Sequence, residues 1–309
     1  MTFKTLFALN VAKVPTIDQI NDIGREYPTR ECKYQEEKHW GFKPFEGKAG
    51  TSEEYVTPLN NGRWLHLQIS LFKPMLPAAV VRRHVDARIK ELTEERGEAP
   101  GSKEKREIKE QVRQSLLPKA FQTESVYQVV FDKNTKQLWL EVTSEALQTD
   151  ILRLLRRCLG SVSVTPLFDS SNLPSKFAAW VAGTSDLPSG FRVGDSAKAI
   201  DPNDPKATIT LSHEALMEPD IQTVLETRML KQLGLESANI SAVINDQSFL
   251  KSIKLSVDTS DADADRDHMM TLWATEISEL LAALSADIGA TEMPNNQDSE
   301  TYDTTSDQL

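Results

Sequence analysis

The sequence is poor in cysteine and has no long hydrophobic run. Cys32 and Cys158 are the only cysteines among its 309 residues, which excludes a disulfide framework and leads us to expect a reducing, cytoplasmic location. No stretch reaches the roughly 18 apolar residues of a membrane-spanning helix, so no contact with a membrane is expected. The first residues also lack the apolar region of a signal peptide.

The sequence also lacks the patterns that mark catalytic, metal and nucleotide sites. The five histidines are scattered rather than paired at metal-ligand spacing, and no Gly-x-Ser-x-Gly elbow or Rossmann glycine pattern occurs. The loop at Gly47 fails as a phosphate loop because Gly41 is one residue too distant and Ala49 replaces the required Ser or Thr. The acidic residues 261–265 fail as a calcium loop because Arg266 stands where glycine is needed. We therefore predict no catalytic residue, no metal, no cofactor and no enzyme.

Basic residues are outnumbered, but only in one part of the chain. The formal net charge is −11, from 35 Lys and Arg against 46 Asp and Glu. Residues 257–309 hold 13 acids and one base, whereas residues 1–256 hold 34 bases and 33 acids. The window 73–119 holds 12 bases and 8 acids. The body of the protein can therefore present a positive surface, which phosphate binding requires, despite the negative total.

Residues 77–121 have the pattern of two helices that form a hairpin. The first helix carries one apolar stripe at helical spacing, made of Val81, Val85, Ile89 and Leu92. Gly97 is expected to end it, and Ser102 is expected to be the N-cap of the second helix. There an apolar ridge repeats every four residues beside a basic ridge, and the two ridges are Ile108, Val112, Leu116 and Lys105, Lys109, Arg113. Pro118 ends this helix, and Phe121 follows the break.

The remaining chain alternates strand and helix patterns. Strands are indicated by β-rich runs at residues 3–11, 64–72, 125–131, 137–142 and 207–211. Three further runs suggest an antiparallel meander, at residues 228–235, 239–245 and 250–257. Helices are indicated at residues 18–25, 147–158, 177–181, 213–227 and 273–288. We predict an α+β fold with mixed or antiparallel sheets and a protruding helical hairpin.

Composition places a domain junction near residues 167–174, where Ser, Asp, Gly and Pro become frequent. We predict an N-terminal α+β domain over residues 1–170, with the hairpin 77–121 as its protruding tip. A C-terminal α+β domain over residues 171–289 holds the strand meander and the final helix. Residues 290–309 contain five acids and neither lysine nor arginine, and are predicted to be a disordered acidic tail.

Two interpretations of the basic ridge are open from the residues alone. It is either a solvated helix pair laced with i,i+4 ion pairs or part of a wall that binds phosphates. Under the second interpretation the members of the wall are Lys105, Lys109, Arg113 and Lys119, with Arg83 and Lys90 as additions.

The run Leu116-Leu117-Pro118-Lys119-Ala120-Phe121 resembles the signature of the recombination-associated protein RdgC family. In that family the same six positions read Leu-Leu-Pro, a basic residue, Ala and Phe. Shorter segments resemble the family in the same order, among them residues 154–161, 164–167 and 279–284. The resemblance spans nearly all of residues 1–290.

The resemblance implies a DNA-binding protein that is not an enzyme. Proteins of this family form a ring-shaped homodimer whose positively charged hole admits double-stranded DNA with little sequence preference, and they antagonise RecA-promoted strand exchange. A cytoplasmic, nucleoid-associated protein is therefore expected. Phe121 matches the phenylalanine of a dimer contact that acts as a gate of the ring. Lys4, Lys119, Arg156 and Arg157 match basic positions of the family.

The sequence departs from the family pattern at two places. Thr208 and Ile209 stand where the family has a basic-polar pair, which weakens the case for a second gate contact. The acidic tail after Gly289 is also unlike the usual family end, and this divergence would fit a copy carried by a phage or mobile element. Two alternatives stay open: a nucleic-acid enzyme such as a metal-dependent nuclease, and a protein-only dimeric scaffold that never touches DNA.

Overall fold

The computed structural model of the chain describes residues 3–34, 36–45, 54–256 and 266–293, and within them it is an α+β protein. The described strands are β1 Thr5–Val11, β2 His39–Lys43, β3 Val56–Leu59, β4 Trp64–Pro74, β5 Gln122–Asp132, β6 Gln137–Leu140, β7 Val164–Pro166, β8 Arg192–Ile200, β9 Thr208–Ser212, β10 Met229–Glu236, β11 Ile240–Asn245 and β12 Leu250–Leu255. The described α-helices are α1 Ile17–Glu26, α2 Ala78–Arg96, α3 Ser102–Leu116, α4 Glu145–Leu159, α5 Leu173–Val181, α6 Pro219–Glu226 and α7 Arg266–Ile288. Short 3-10 helices cover Leu117–Lys119 and Ser170–Asn172. No helix in these described ranges is long and apolar enough to cross a lipid bilayer.

The chain forms two compact units that alternate along the sequence. Unit 1 comprises Met1–Ile20, Val56–Leu67 and Gln128–Leu309, and unit 2 comprises Asn21–Tyr55 and Gln68–Tyr127. The sequence predicted one boundary near residue 170 instead. Compactness does not test whether a segment folds alone, so the predicted domains stay a prediction.

Strand β1 lies between β6 and β12 in the sheet of unit 1. It pairs antiparallel with both of them, and β7 pairs with its end. Beyond β12 the strand order is β11, β10, β8 and β9, with antiparallel pairing throughout. The predicted antiparallel meander over β10, β11 and β12 is confirmed. Strand β8 was not predicted, because its stretch contains Gly, Asp and Ser and reads as a loop.

The core of unit 1 is aromatic and aliphatic. The predicted helices at residues 177–181 and 273–288 are confirmed as parts of α5 and α7. Phe177, Trp180 and Trp273 of these helices belong to one buried cluster with residues of the strands. Burial of this apolar area is the main stabilising contribution to the unit. The segment predicted as a helix from residue 213 becomes helical only at Pro219, where proline suits a first helical turn.

Unit 2 combines a small sheet with the helices α2 and α3. Strand β2 pairs antiparallel with the part of β4 that follows residue 67. The α2 and α3 helices contact each other, and Val81, Leu92 and Ile108 are buried. Gly97 ends α2 in the left-handed conformation at φ 79°, as predicted, and its N–H bonds the carbonyl of Thr93.

The start of α3 and the described part of the acidic tail differ from the predictions made for them. The N-cap of α3 is Gly101 and not Ser102, which is instead the first helical residue and makes no capping bond. Of the predicted acidic tail, residues 294–309 lie outside the described residues, as do residues 261–265. Within the described part, Thr291 is bound to unit 1: its N–H donates to Leu167 O, and Asn10 Nδ2 donates to its Oγ1 at 3.1 Å.

Candidate nucleic-acid interface

Helix α3 presents several exposed cations that form no salt bridge with a described residue. Its five bases are Lys103, Lys105, Arg106, Lys109 and Arg113. In the part of the chain that the structure describes, only Arg113 forms a salt bridge. The reason is the sequence spacing, since the helical positions four residues beyond Lys105 and Lys109 hold further bases rather than carboxylates. The predicted basic ridge therefore has charge available for an external anion.

Helix α2 behaves differently. Its exposed bases lie beside acids one turn away, with Arg82–Asp86 and Lys90–Glu94 both at 3.8 Å and Arg88–Glu91 at 2.9 Å. The interpretation of a solvated helix laced with ion pairs thus describes α2 and not α3. Arg83 is exposed and forms no salt bridge with a described residue, whereas the charge of Lys90 is partly compensated. Exposed pairs of this kind contribute little to stability, about 0.5 kcal/mol each.

Arg113 is held by a carboxylate from a distant part of unit 2. Its Nη2 lies 3.2 Å from Glu37 Oε1, and the two side chains are 43% and 47% exposed. Such an exposed pair is weak and open to exchange with a phosphate. Glu37 is therefore the anion that an incoming nucleic acid would have to displace from Arg113.

The loop that carries Glu37 is itself tied down. Arg30 makes two hydrogen bonds to Glu36, at 2.7 and 2.9 Å, and the N–H of Lys33 donates to the same carboxylate at 2.7 Å. The bonds from Arg30 lower the pKa of Glu36 to about 2. The loop also joins β5, because the N–H of Cys32 donates to Gln122 Oε1 at 2.6 Å. Glu37 therefore lies on a segment that these hydrogen bonds hold in place.

A groove of about 610 Å³ lies beside α2 and α3 in unit 2. Its apolar lining residues are Pro74, Leu76, Ala78, Val81, Val85 and Leu117. Its charged lining residues are Lys73, Arg82, Lys109, Arg113 and Glu37. The structure thus brings Lys109 and Arg113, which were predicted, together with Lys73 and Arg82, which were not. Lys73 lies in β4 and Arg82 near the start of α2, so grouping them with Lys109 and Arg113 of α3 requires the fold.

Phe121 is the most exposed large hydrophobic side chain among the described residues, with 89% of its surface accessible. It follows the 3-10 helix Leu117–Lys119, and its carbonyl accepts a 2.7 Å hydrogen bond from the N–H of Met75. Met75 is also exposed, at 53%. Lys119 is exposed two residues away and forms no salt bridge with a described residue. The exposed side chains of Phe121 and Met75 therefore belong to one part of unit 2, and Lys119, which forms no salt bridge with a described residue, is two residues from Phe121 in the chain. Nothing in the sequence had pointed to Met75.

Three predicted basic residues lie in unit 1. Lys4 is exposed, and its carbonyl accepts the N–H of Ile253 at 3.2 Å, so the chain at Lys4 lies beside β12. Arg156 is exposed, but its Nε donates to Val162 O at 3.2 Å and thereby ties the end of α4 to the following segment. Arg157 is exposed and forms no ion pair with a described residue. That these residues contact DNA stays a prediction, as it does for those of unit 2.

Side chains of His, Cys, Asp and Glu decide whether a protein can hold a metal ion. Within the described ranges, no three His, Cys, Asp or Glu side chains come together in a group that could hold a metal ion. Burial raises the pKa of the Cys32 thiol, and burial likewise lowers the pKa of His39.

Comparison with known proteins gives matches over nearly the whole chain. A family model described as "Putative exonuclease, RdgC" matches residues 1–291. A recombination-associated protein RdgC from Xylella fastidiosa is 24% identical over 298 residues, covering 93% of this chain and 98% of that protein. One from Psychromonas ingrahamii is 25% identical, covering 88% and 92%, and one from Cupriavidus pinatubonensis is 28% identical, covering 82% and 89%.

Proposed function

The chain belongs to the RdgC family, and from this we propose that it binds double-stranded DNA without sequence preference, as a ring-shaped homodimer, and antagonises RecA-type recombination. The names of the relatives support a recombination-related role. Under this proposal the protein is a DNA-binding component of the nucleoid and not an enzyme.

The row of free cations on α3 is the observation that carries the proposal. Lys105 and Lys109 are exposed, unpaired within the described residues and one helical turn apart. Cations that meet the sugar-phosphate backbone release bound counterions, which supplies affinity without reading the bases. Lys119 and Arg83 add free charge in the same unit, and Arg113 adds charge once Glu37 is displaced.

In this proposal Phe121 makes the contact between two copies that closes the ring. We assign the α2–α3 pair as a protruding hairpin and Phe121 as the anchor of the dimer contact that closes the ring. A side chain that is 89% exposed in one copy gains apolar burial only when a second copy covers it. One aromatic anchor gives a contact that is small enough to reopen, and DNA without free ends can enter a ring only if the ring reopens.

Antagonism of strand exchange follows from occupancy of the duplex. A ring that encloses double-stranded DNA covers the backbone that a recombinase filament and its second strand must approach. Because the contact is electrostatic and does not depend on sequence, the ring can occupy any duplex that a recombinase would use.

The acidic residues at the end of the chain are assigned a competing role. Residues 294–309 carry four acids and no base, so they are the natural competitor of DNA for the cations of α3. Removing residues 294–309 is the suitable deletion, because Thr291 is bound to β1 and β7 and a cut before it would disturb unit 1. The deletion is expected to tighten DNA binding, and unchanged affinity would make the segment a solubilising one.

A gel shift with a random-sequence duplex, together with a mass measurement in solution, tests the main proposal. A dimer that shifts unrelated duplexes with equal affinity is expected. A dimer that shifts none is the protein-only scaffold, and a monomer contradicts the ring. A RecA strand-exchange reaction, with the protein added before or after the duplex, then tests antagonism.

A metal-dependent nuclease is the second candidate, because the description of the matching family model names an exonuclease. Labelled linear and circular duplexes incubated with the protein and magnesium separate the two functions. Loss of label from the ends of the linear duplex would establish the nuclease, whereas intact DNA in a shifted complex is expected from the binding protein.

A further inference from the structure

The solvent side of the strands β8 to β12 in unit 1 forms a polar trough. Two adjoining cavities, of about 320 and 210 Å³, share Asp195, Ser196, Val243, Ser252 and Lys254 in their linings. Alternation along the strands produces this face, because Leu233 and Leu235 are buried in the core while Gln232 and Gly234 line the trough.

The floor of the trough is low because two glycines meet there. A Cβ on Gly194 would lie 3.1 Å from the carbonyl carbon of Gly234, and one on Gly234 would lie 3.1 Å from Ser196 O. The register also shifts between Leu233 and Leu235, where β10 pairs with β8. The two glycines therefore let the backbones of β8 and β10 approach each other closely, and they place no side chains on the floor.

Three lysines surround this floor. Lys198 lies on β8 and is paired in register with Thr210 and Gln232, and Lys251 and Lys254 lie on β12. Among the described residues none of these three lysines forms a salt bridge. Strands lie ~4.8 Å apart, so the three spacings from β8 to β12 separate the two sides of the trough by roughly 14 Å.

The acids of the trough already have partners. Asp195 accepts a 2.9 Å hydrogen bond from Ser196 Oγ and lies 2.9 Å from His213 Nδ1. Glu236 lies 2.7 Å from Arg192 Nε. Neither acid forms a salt bridge with one of the three lysines in the part of the chain that the structure describes. The rest of the lining mixes hydroxyl and amide side chains such as Ser196, Ser252 and Gln232 with apolar ones such as Val243 and Leu211.

We propose that this trough is a second contact surface for the phosphodiester backbone of nucleic acid, with Lys198, Lys251 and Lys254 as its ligands. The inference rests on the proposed function and extends it to unit 1, with residues outside the sets that sequence and family resemblance supplied. Three lysines without ion-pair partners among the described residues suit a phosphate backbone better than a protein partner, since protein interfaces are depleted of lysine.

The test uses the full chain with all three lysines changed, as Lys198→Gln, Lys251→Gln and Lys254→Gln. Labelled duplex DNA and single-stranded DNA of equal length are titrated at several salt concentrations. For the nucleic-acid form that the trough binds, affinity should fall at least tenfold at low salt, and the salt slope should become shallower by about 2 to 3, because each lost phosphate contact removes ~0.9. Lys206→Gln, an exposed lysine in the turn after β8, is the matched control and should change neither quantity.

The outcomes separate this inference from the function on which it rests. If the unaltered protein binds neither probe, the proposed function fails and the trough fails with it. If the unaltered protein binds but the triple variant keeps its affinity and slope for both probes, the trough alone is refuted.

A measurement on the unaltered protein guards against misfolding of the variant. Lysine acetylation read by mass spectrometry, with and without DNA, should show several-fold protection of Lys198, Lys251 and Lys254 but not of Lys206. Equal labelling with and without DNA overturns the proposal.

Discussion

Met75 and Phe121 are joined through their backbones, and both leave their side chains in solvent. The N–H of Met75 donates to the carbonyl of Phe121 at 2.7 Å, while the side chains are 53% and 89% exposed. The hydrogen bond fixes the position of two apolar groups that nothing within the described unit covers. Fixed, exposed apolar groups are typical of an interaction surface.

Phe121→Ala is expected to weaken the association of two copies and retention on circular duplex DNA. The free energy of unfolding of the Phe121→Ala variant should differ from that of the unaltered protein by less than about 0.5 kcal/mol, because so little of the Phe121 side chain is buried. Analytical ultracentrifugation and a gel shift with relaxed circles measure the first effect, and urea unfolding measures the second.

Two controls frame that experiment. Met75→Ala should act in the same direction with a smaller effect, whereas the fully buried Phe131→Ala should lower the free energy of unfolding by about 3–5 kcal/mol. Unaltered binding of circles by the Phe121 variant would remove the gate from the proposal.

Removing charge from α3 should make DNA binding less sensitive to salt. For the double variant Lys105→Gln and Lys109→Gln, we expect the slope of log affinity against log salt to become shallower by about 2, with equal losses on unrelated duplexes. Lys206→Gln, an exposed lysine of unit 1 that belongs to none of the proposed contact surfaces, is the matched control. Loss confined to one DNA sequence, or an affinity that ignores salt, would contradict the phosphate-binding wall.

Glu37→Gln should strengthen DNA binding. The substitution frees Arg113 from the carboxylate 3.2 Å away, and since exposed ion pairs are worth about 0.2–1 kcal/mol, the gain is expected to be roughly threefold. Fluorescence anisotropy on a random duplex measures it. The gain should vanish when Arg113→Gln is added, and a gain that persists in the double variant would show that Glu37 acts through general charge.

The Arg30–Glu36 pair predicts a pH dependence of stability. The folded-state pKa of Glu36 is about 2, below its ordinary value of 4.5, so its ionised form favours the folded state. That contribution is complete above the ordinary value and disappears as the pH falls from about 4.5 towards 2. Urea unfolding of the unaltered protein and of Glu36→Gln should therefore differ at neutral pH and converge near pH 2. A constant difference over that interval would show that the carboxylate contributes through packing alone.

Asp132→Ala should destabilise unit 1 by about 3 kcal/mol. The carboxylate is fully buried and accepts hydrogen bonds from Arg63 Nη2 at 3.0 Å, Trp64 Nε1 at 2.9 Å and the N–H of Asn134 at 2.8 Å. Removing it leaves those donors without their acceptor. Chemical unfolding measures the loss, and Asp22→Ala, which breaks an exposed pair, should cost no more than about 0.5 kcal/mol. Equal costs would show that the Asp132 network is replaced by water.

Periodicity explains which parts of the fold could be predicted from sequence. The α2 stripe and the meander β10 to β12 have regular apolar spacing, so they were recognised. Strand β4 was recognised as a strand, but its alternation of apolar and polar residues did not show that the polar His66 and Gln68 are buried. His66 Nε2 lies 2.7 Å from Gln128 Oε1, a contact across 62 residues that no local pattern shows.

The residues of the candidate sites also differ in whether local sequence spacing could identify them. Lys105 and Lys109 were found because their spacing is local to one helix. The engagement of Arg113 by Glu37 and the placement of Lys198 and Lys251 on one trough depend on chain segments far apart in sequence. Such pairs arise from tertiary packing, which single-sequence reasoning does not reach.

The central place of β1 in the unit 1 sheet has a consequence for synthesis on the ribosome. Residues of this early strand pair with β6, β7 and β12, and Asn10 bonds Thr291 across 281 residues. One edge of the nascent strand can pair with β6 once residue 140 has emerged, but the part of the other edge that β12 covers stays unsatisfied until residues 250 and 251 follow. Chaperones that shield open strand edges during translation should accordingly matter more for the yield of this protein than for that of a chain with local contacts.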